Sequence, residues 1–272
     1  MTLLQRHAYG IGAGFAALLW PFFWKRRRLS RENVLRCGIT SDPAEAARIA
    51  KTAWRHLAGH ICEALFVPKS VAAGDWRERL DVSEADPESA SLVLDPPKEP
   101  ILIVSGHHGA WEVATNVLTA TRPMIAVARK VNNKFVARWM AKHHFRGPVT
   151  LVDKKKGFTR EILRQWEDDK AAMTILMDQH YSKGAKLTFL GRPARTITSA
   201  ARLAVRTGHP AVVGSFVRVA PYRYKLVGGP PLRFERGADI EAAAQAMNDR
   251  LSEVVRKYPE QYLWVHRRWR DD

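Results

Sequence analysis

The 272-residue chain is 46% hydrophobic, an ordinary globular composition with length enough to bury a sizeable core. Its 44 Lys and Arg against 27 Asp and Glu leave a formal charge of +17, which points to a polyanionic partner: nucleic acid, an anionic bilayer or an acidic protein. Cys37 and Cys62 make no Cys-x-x-Cys pair, which argues against a structural zinc module and fits a reducing compartment, while nine tryptophans suit a membrane surface at least as well as nucleic acid.

The first element is the uncharged run AYGIGAGFAALLWPFFW, Ala8 to Trp24, followed at once by Lys25–Arg28 and Arg31. Its 17 residues lie at the short edge of a bilayer-spanning helix, for which about 20 are typical. No small-x-small cleavage site follows, so a secretory signal is a poor reading. A core helix is the plain alternative. Aromatics beside a basic cluster favour a membrane anchor over residues 1–30, with the cluster and everything after it on the cytoplasmic side. Residues 31–272 then form one α/β domain.

From Ser41 to about Ala73 the pattern is helical, with Asp42 as N-cap and Pro43 at the first helical position. His56 and His60 share one helical face, but with no third ligand nearby they read as packing or surface residues, not a metal site. Pro87, Pro96, Pro97 and Pro100 mark irregular connections. Beyond them the chain alternates. Strands are expected at Ile101–Val104, Met124–Ala128, Val149–Val152, Ala172–Met177 and Ala211–Val219, and helices at Trp111–Thr121, Lys134–Phe145, Thr159–Asp168 and Ser199–Thr207. YRYKLVGGPPL adds an antiparallel edge, and Asp239–Lys257 a closing helix. The fold class is therefore a mixed, largely parallel sheet flanked by helices, with an N-terminal hydrophobic anchoring helix; ligands in such folds gather at the C-terminal ends of strands.

One such end is ILIVSGHHGAWEVA, Ile101 to Ala114. In a single helix His107 and Glu112 would diverge, but a strand ending near Gly106 and a helix starting near Ala110 would place Glu112 in the first turn, able to reach back to the imidazole. An acid holding one ring nitrogen leaves the other to take a proton, and the helix N-terminus offers amides to an oxyanion. Ser105 lacks the Gly-x-Ser-x-Gly context of a serine nucleophile. The alternative is that the histidines are satisfied strand-end residues and Glu112 a helix-start acid.

HHGAWE resembles the His-x4-Glu block of the lysophospholipid-acyltransferase-like superfamily, and most of all its lipid A biosynthesis (lauroyl/myristoyl) and phosphatidylinositol mannoside acyltransferases. Ala110 stands where that branch commonly has Asn. VARKVNN (Val127–Asn133), the stretch from Met177 to Val212 and YPEQYLWVHRRWR (Tyr258–Arg270) match further blocks in order. The resemblance implies transfer of a fatty acyl group from acyl carrier protein or acyl-CoA to a hydroxyl of a glycolipid, at the cytoplasmic face of a bacterial inner membrane. It makes His107 the general base with Glu112 orienting it, and places Arg129, Asp178, Gln179, Gly191 and Thr196 at the substrate. It calls for no metal or other cofactor. Lys154–Lys156, Arg267, Arg268 and Arg270 read as solvated basic faces available to an anionic membrane. A membrane thioesterase using the same base is the nearest rival, and a nucleic-acid binder explains only the charge.

Overall fold

The protein is described by a computed structural model covering residues 3–66, 76–128, 149–153 and 157–270. The uncharged N-terminal run does not form one helix. Helix α1 (Leu3–Leu19) ends in a 3-10 turn at Trp20–Phe22, where Pro21 supplies no N–H, and α2 (Trp24–Arg36) begins at the last residue of the run and carries the basic stretch. At roughly 1.5 Å per residue α1 is about 25 Å long, short of a hydrocarbon layer of about 30 Å. No described helix is long and apolar enough to cross a membrane. The expected anchoring helix is corrected on that point.

Instead α1 lies along α3 (Pro43–Ala64), burying its small residues Ala8, Gly12, Ala13 and Ala16. A Cβ at Gly12 would come within 2.5 Å of the Ala58 carbonyl, so glycine sets the close approach of the two helices. The Trp54 indole fastens the pair by donating to the Ala16 carbonyl at 2.7 Å. The large apolar side chains Leu3, Leu4, Ile11, Phe15 and Leu18 face outward, continued by Phe22 and Trp24.

Helix α3 starts as its sequence dictates: the Asp42 carboxylate accepts from the amides of Ala44 and Glu45, with Pro43 in the first turn. The same Asp-Pro device recurs at Asp86–Pro87 and starts α4 (Pro87–Leu94), directly after β1 (Leu80–Ala85). Neither element was expected; Pro87 opens a helix where an irregular connection had been read.

The alternating region follows expectation closely. In chain order it forms β2 (Ile101–Ser105), α5 (Trp111–Thr121), β3 (Met124–Ala128), β4 (Val149–Asp153), α6 (Arg160–Asp168) and β5 (Ala172–Leu176). A hairpin of β6 (Ala185–Phe189) and β7 (Arg192–Thr196) intervenes before α7 (Ser199–Thr207), β8 (Ala211–Ala220), β9 (Arg223–Gly228) and α8 (Ile240–Lys257). The helix expected at Lys134–Phe145 lies outside the described residues. One sheet runs β1-β9-β8-β2-β5-β3-β4, parallel throughout except for the antiparallel β8–β9 pair. Side chains alternate across it: Leu102 and Val104 enter the core shared with α7 and α8, whereas Ile103 packs on the α4–α5 side. The central strands β2, β5 and β8 are largely apolar and buried because helices cover both faces.

Candidate active site

Parallel register brings the key side chains together. Strands β2 and β5 are neighbours with Ser105 opposite Leu176, so the chain leaves the sheet at the same level on both, and His107 meets Asp178 two residues further on. Gly106 makes room: a Cβ there would sit 3.0 Å from the Asp178 carboxyl carbon. Asp178 Oδ2 accepts the His107 backbone amide at 2.9 Å, and Oδ1 lies 2.9 Å from His107 Nδ1.

The carboxylate is 1% exposed and the imidazole 22%. Burial alone would raise the Asp178 pKa; the charge and hydrogen bonds of His107, with Arg268 behind, outweigh it and hold the group below its ordinary value. An ionised Asp178 can only accept, so Nδ1 carries the proton and Nε2 presents a lone pair. The Gln179 amide approaches that Nε2 at 3.2 Å.

The sequence placed Glu112 on this ring. It does fall in the first turn of α5, but there its Oε1 accepts from the Trp111 indole at 3.1 Å, while Asp178 occupies Nδ1. Trp111 in turn stands edge-on to His107, ring centroids 5.4 Å apart. Helix α5 opens at Ala110 without a side-chain cap. Ser105 donates to the Gly214 carbonyl at 2.7 Å within the sheet. An apolar cavity lies under this rim, lined by Ile103, Trp111, Leu118, Leu176, Val212 and Phe216.

A second layer comes from the C-terminal segment. Arg268, read from sequence as a solvated cation, is 1% exposed and donates to the carbonyls of Gln179 and Arg195 and, at 2.6 Å, to Thr196 Oγ1. It therefore braces the Asp178–Gln179 turn from behind. Tyr262 is buried beside the same carboxylate; burial first, then the Asp178 charge, raises its hydroxyl pKa well above 10. His266 accepts the His180 amide at 3.2 Å, and burial lowers its pKa to about 4.

The other expected substrate residues are placed differently. Thr196 is fully buried, its hydroxyl shared between Arg268 and Asn248. Gly191, at φ +78, forms with Leu190 at φ +52 the two-residue turn of the β6–β7 hairpin, a conformation that accounts for the glycine. Arg129 and Lys154–Lys156 lie outside the described residues. His56 and His60 prove to be packing residues of α3, both buried. Burial lowers their pKa values to about 4 and about 3, which keeps them neutral near pH 7.

The model of a family described as bacterial lipid A biosynthesis acyltransferase matches residues 3–271. The lipid A biosynthesis palmitoleoyltransferase of Escherichia coli strain K12 is 24% identical over 267 residues, spanning 96% of this chain and 84% of the relative. The lipid A biosynthesis acyltransferase of Shigella flexneri is similar to the same extent, 24% over 267 residues.

Proposed function

The chain belongs to the bacterial lipid A biosynthesis acyltransferase family, and from that premise we propose that it moves a fatty acyl group from a thioester donor to a hydroxyl of a lipid A precursor, with His107 as general base. The observation that carries the assignment is the His107–Asp178 pair, with one nitrogen held by a buried carboxylate and the other 3.2 Å from the Gln179 amide on a ring that is 22% exposed.

The acceptor hydroxyl displaces the Gln179 amide and gives its proton to Nε2 as its oxygen attacks the thioester carbonyl. The tetrahedral oxyanion is met by the first amides of α5. On collapse the carbon–sulfur bond breaks, and the imidazolium returns its proton to the departing thiolate. An ester and a free thiol result. Asp178 stabilises the imidazolium and fixes its tautomer. The donor is acyl carrier protein or acyl-CoA. The outward row of α1, with Lys25–Arg28 beside it, rests on the cytoplasmic face of an anionic inner membrane, lying in its plane.

Incubation of purified protein with acyl donor and lipid A precursor, read by mass spectrometry, tests this. Acylated glycolipid is expected, with turnover falling about 10²- to 10⁴-fold in His107→Ala. Free fatty acid as the main product, independent of acceptor, would make the protein a thioesterase; unchanged turnover in the variant would remove His107 from the chemistry.

A further inference from the structure

Residues 106–110, which carry His107, are tied down by the Asp178 carboxylate on the His107 amide, by the His108 ring on the Tyr258 carbonyl and by backbone bonds. The His107 carbonyl accepts from Leu263, the Gly109 amide donates to Gln261 and the Ala110 amide to Phe216. Gly109 has φ +66, and a Cβ there would lie 2.2 Å from the Phe216 carbonyl oxygen, so the loop is pressed against β8. That leaves the Gly109 carbonyl. It is met by a side chain from another layer: His56 Nε2, 3.0 Å away.

A carbonyl only accepts, so Nε2 bears the proton and Nδ1 the lone pair, the reverse of the tautomer at His107. The Tyr9 hydroxyl, 3.3 Å from Nδ1, donates to it. Tyr9 is itself fixed, with the Arg218 guanidinium 3.6 Å above its ring and Gly59 beneath, where a Cβ would meet the ring at 2.7 Å. Below His56, His60 stacks on it at 5.1 Å, and its edge meets Trp111, the residue flanking His107. A line of side chains therefore runs from α1 through α3 to the catalytic imidazole.

We infer that His56 is a positioning residue for the reaction: by donating to the Gly109 carbonyl, and with its other nitrogen held by Tyr9, it fixes the backbone on which His107 is presented. His56 touches no reacting atom. A base displaced by about 1 Å loses about 10²-fold in rate, so its effect falls on turnover rather than on substrate binding. This inference rests on the acyltransferase reading only for its kinetic arm.

The test compares His56→Leu, His56→Gln and Tyr9→Phe. Glutamine keeps an N–H near the position of Nε2; leucine keeps only bulk. In His56→Leu, kcat should fall about 10- to 100-fold with KM for donor and acceptor within about twofold of wild type. His56→Gln should recover to within about fivefold of wild type, and Tyr9→Phe should lose about two- to threefold. Hydrogen exchange supplies a readout independent of activity: the Gly109 and Ala110 amides should exchange faster in His56→Leu and close to normally in His56→Gln. Should His56→Leu unfold at assay temperature, the glutamine and phenylalanine variants carry the comparison. Wild-type exchange and kcat in His56→Leu, or a His56→Gln as impaired as His56→Leu in both readouts, would overturn the inference. If the wild-type protein transfers no acyl group, the functional reading fails while the exchange data still decide the role of His56.

Discussion

Two buried carboxylates, Asp178 and Glu63, differ in the kind of partner each one faces. Each is 1% exposed and each faces a basic side chain. Glu63 meets Arg218 at 2.8 Å, accepts the Tyr224 hydroxyl at 2.5 Å and the Tyr222 amide at 3.3 Å, and so spends its lone pairs joining α3 to the β8–β9 hairpin. Its partner is a permanent cation. Asp178 meets an imidazole that is 22% exposed and whose other ring nitrogen lies 3.2 Å from the Gln179 amide. Burial of a carboxylate is common to both; a titratable partner at the rim is not.

The comparison breaks most sharply at Asp178. Asp178→Asn keeps the volume and loses the charge, and should lower turnover about 10²- to 10⁴-fold with the melting temperature nearly unchanged. Glu112→Gln, measured beside it, should lose less; the reverse order would hand the orienting role back to Glu112. At the other carboxylate the effect should fall on stability. Glu63→Gln leaves Arg218, only 13% exposed, without its counter-charge and should cost about 2–4 kcal/mol in denaturant unfolding, with turnover per folded molecule close to wild type.

A smaller, graded effect should come from acid. His56 and His108 are held near 4 and His60 near 3, chiefly by burial, against 6.5 for a free imidazole. With folded values depressed, the unfolded chain binds more protons below 6.5, so these groups favour the fold above that pH and oppose it increasingly as pH falls toward 4. Melting temperature should therefore drop steadily between about pH 6.5 and 4; a flat profile would contradict neutral buried imidazoles. The smallest effect on folding should come from the outward face of α1. Phe15→Ser with Leu18→Ser should change stability by about 0.5 kcal/mol or less yet weaken binding to vesicles containing anionic lipid. Undiminished vesicle binding would place the membrane contact elsewhere.

The sequence carried β2, β3, β4, β5 and β8 well because each is a largely apolar run, and the cap at Asp42 because its side chain bonds amides two and three residues on. Contacts between distant segments were not legible. The His107–Asp178 pair depends on β2 and β5 being neighbours, with β3 and β4 displaced to the far edge, and no local pattern encodes that order. Glu112 was named by its spacing from His107 and by the His-x4-Glu resemblance, and in the fold its Oε1 accepts from the Trp111 indole. Arg268 looked like surface charge because arginine usually is; its burial rests on acceptors supplied by Gln179, Arg195 and Thr196. The β6–β7 hairpin escaped because Leu190–Gly191 lacks the Asn-Gly signature of such turns.

The two ends of the chain are sewn together. Asn33 donates to the carbonyls of Trp264 and His266, Arg26 to that of Val265, and β1 takes its place only beside β9. During synthesis the first helices leave the ribosome long before the segment that receives α2, so although α1 can already lie along α3, this helical layer waits for its place until translation is almost complete. An early landing on lipid, or a holding chaperone, would shelter it through that wait. Chains cut short near the C-terminus should then fail as whole molecules rather than lose one corner.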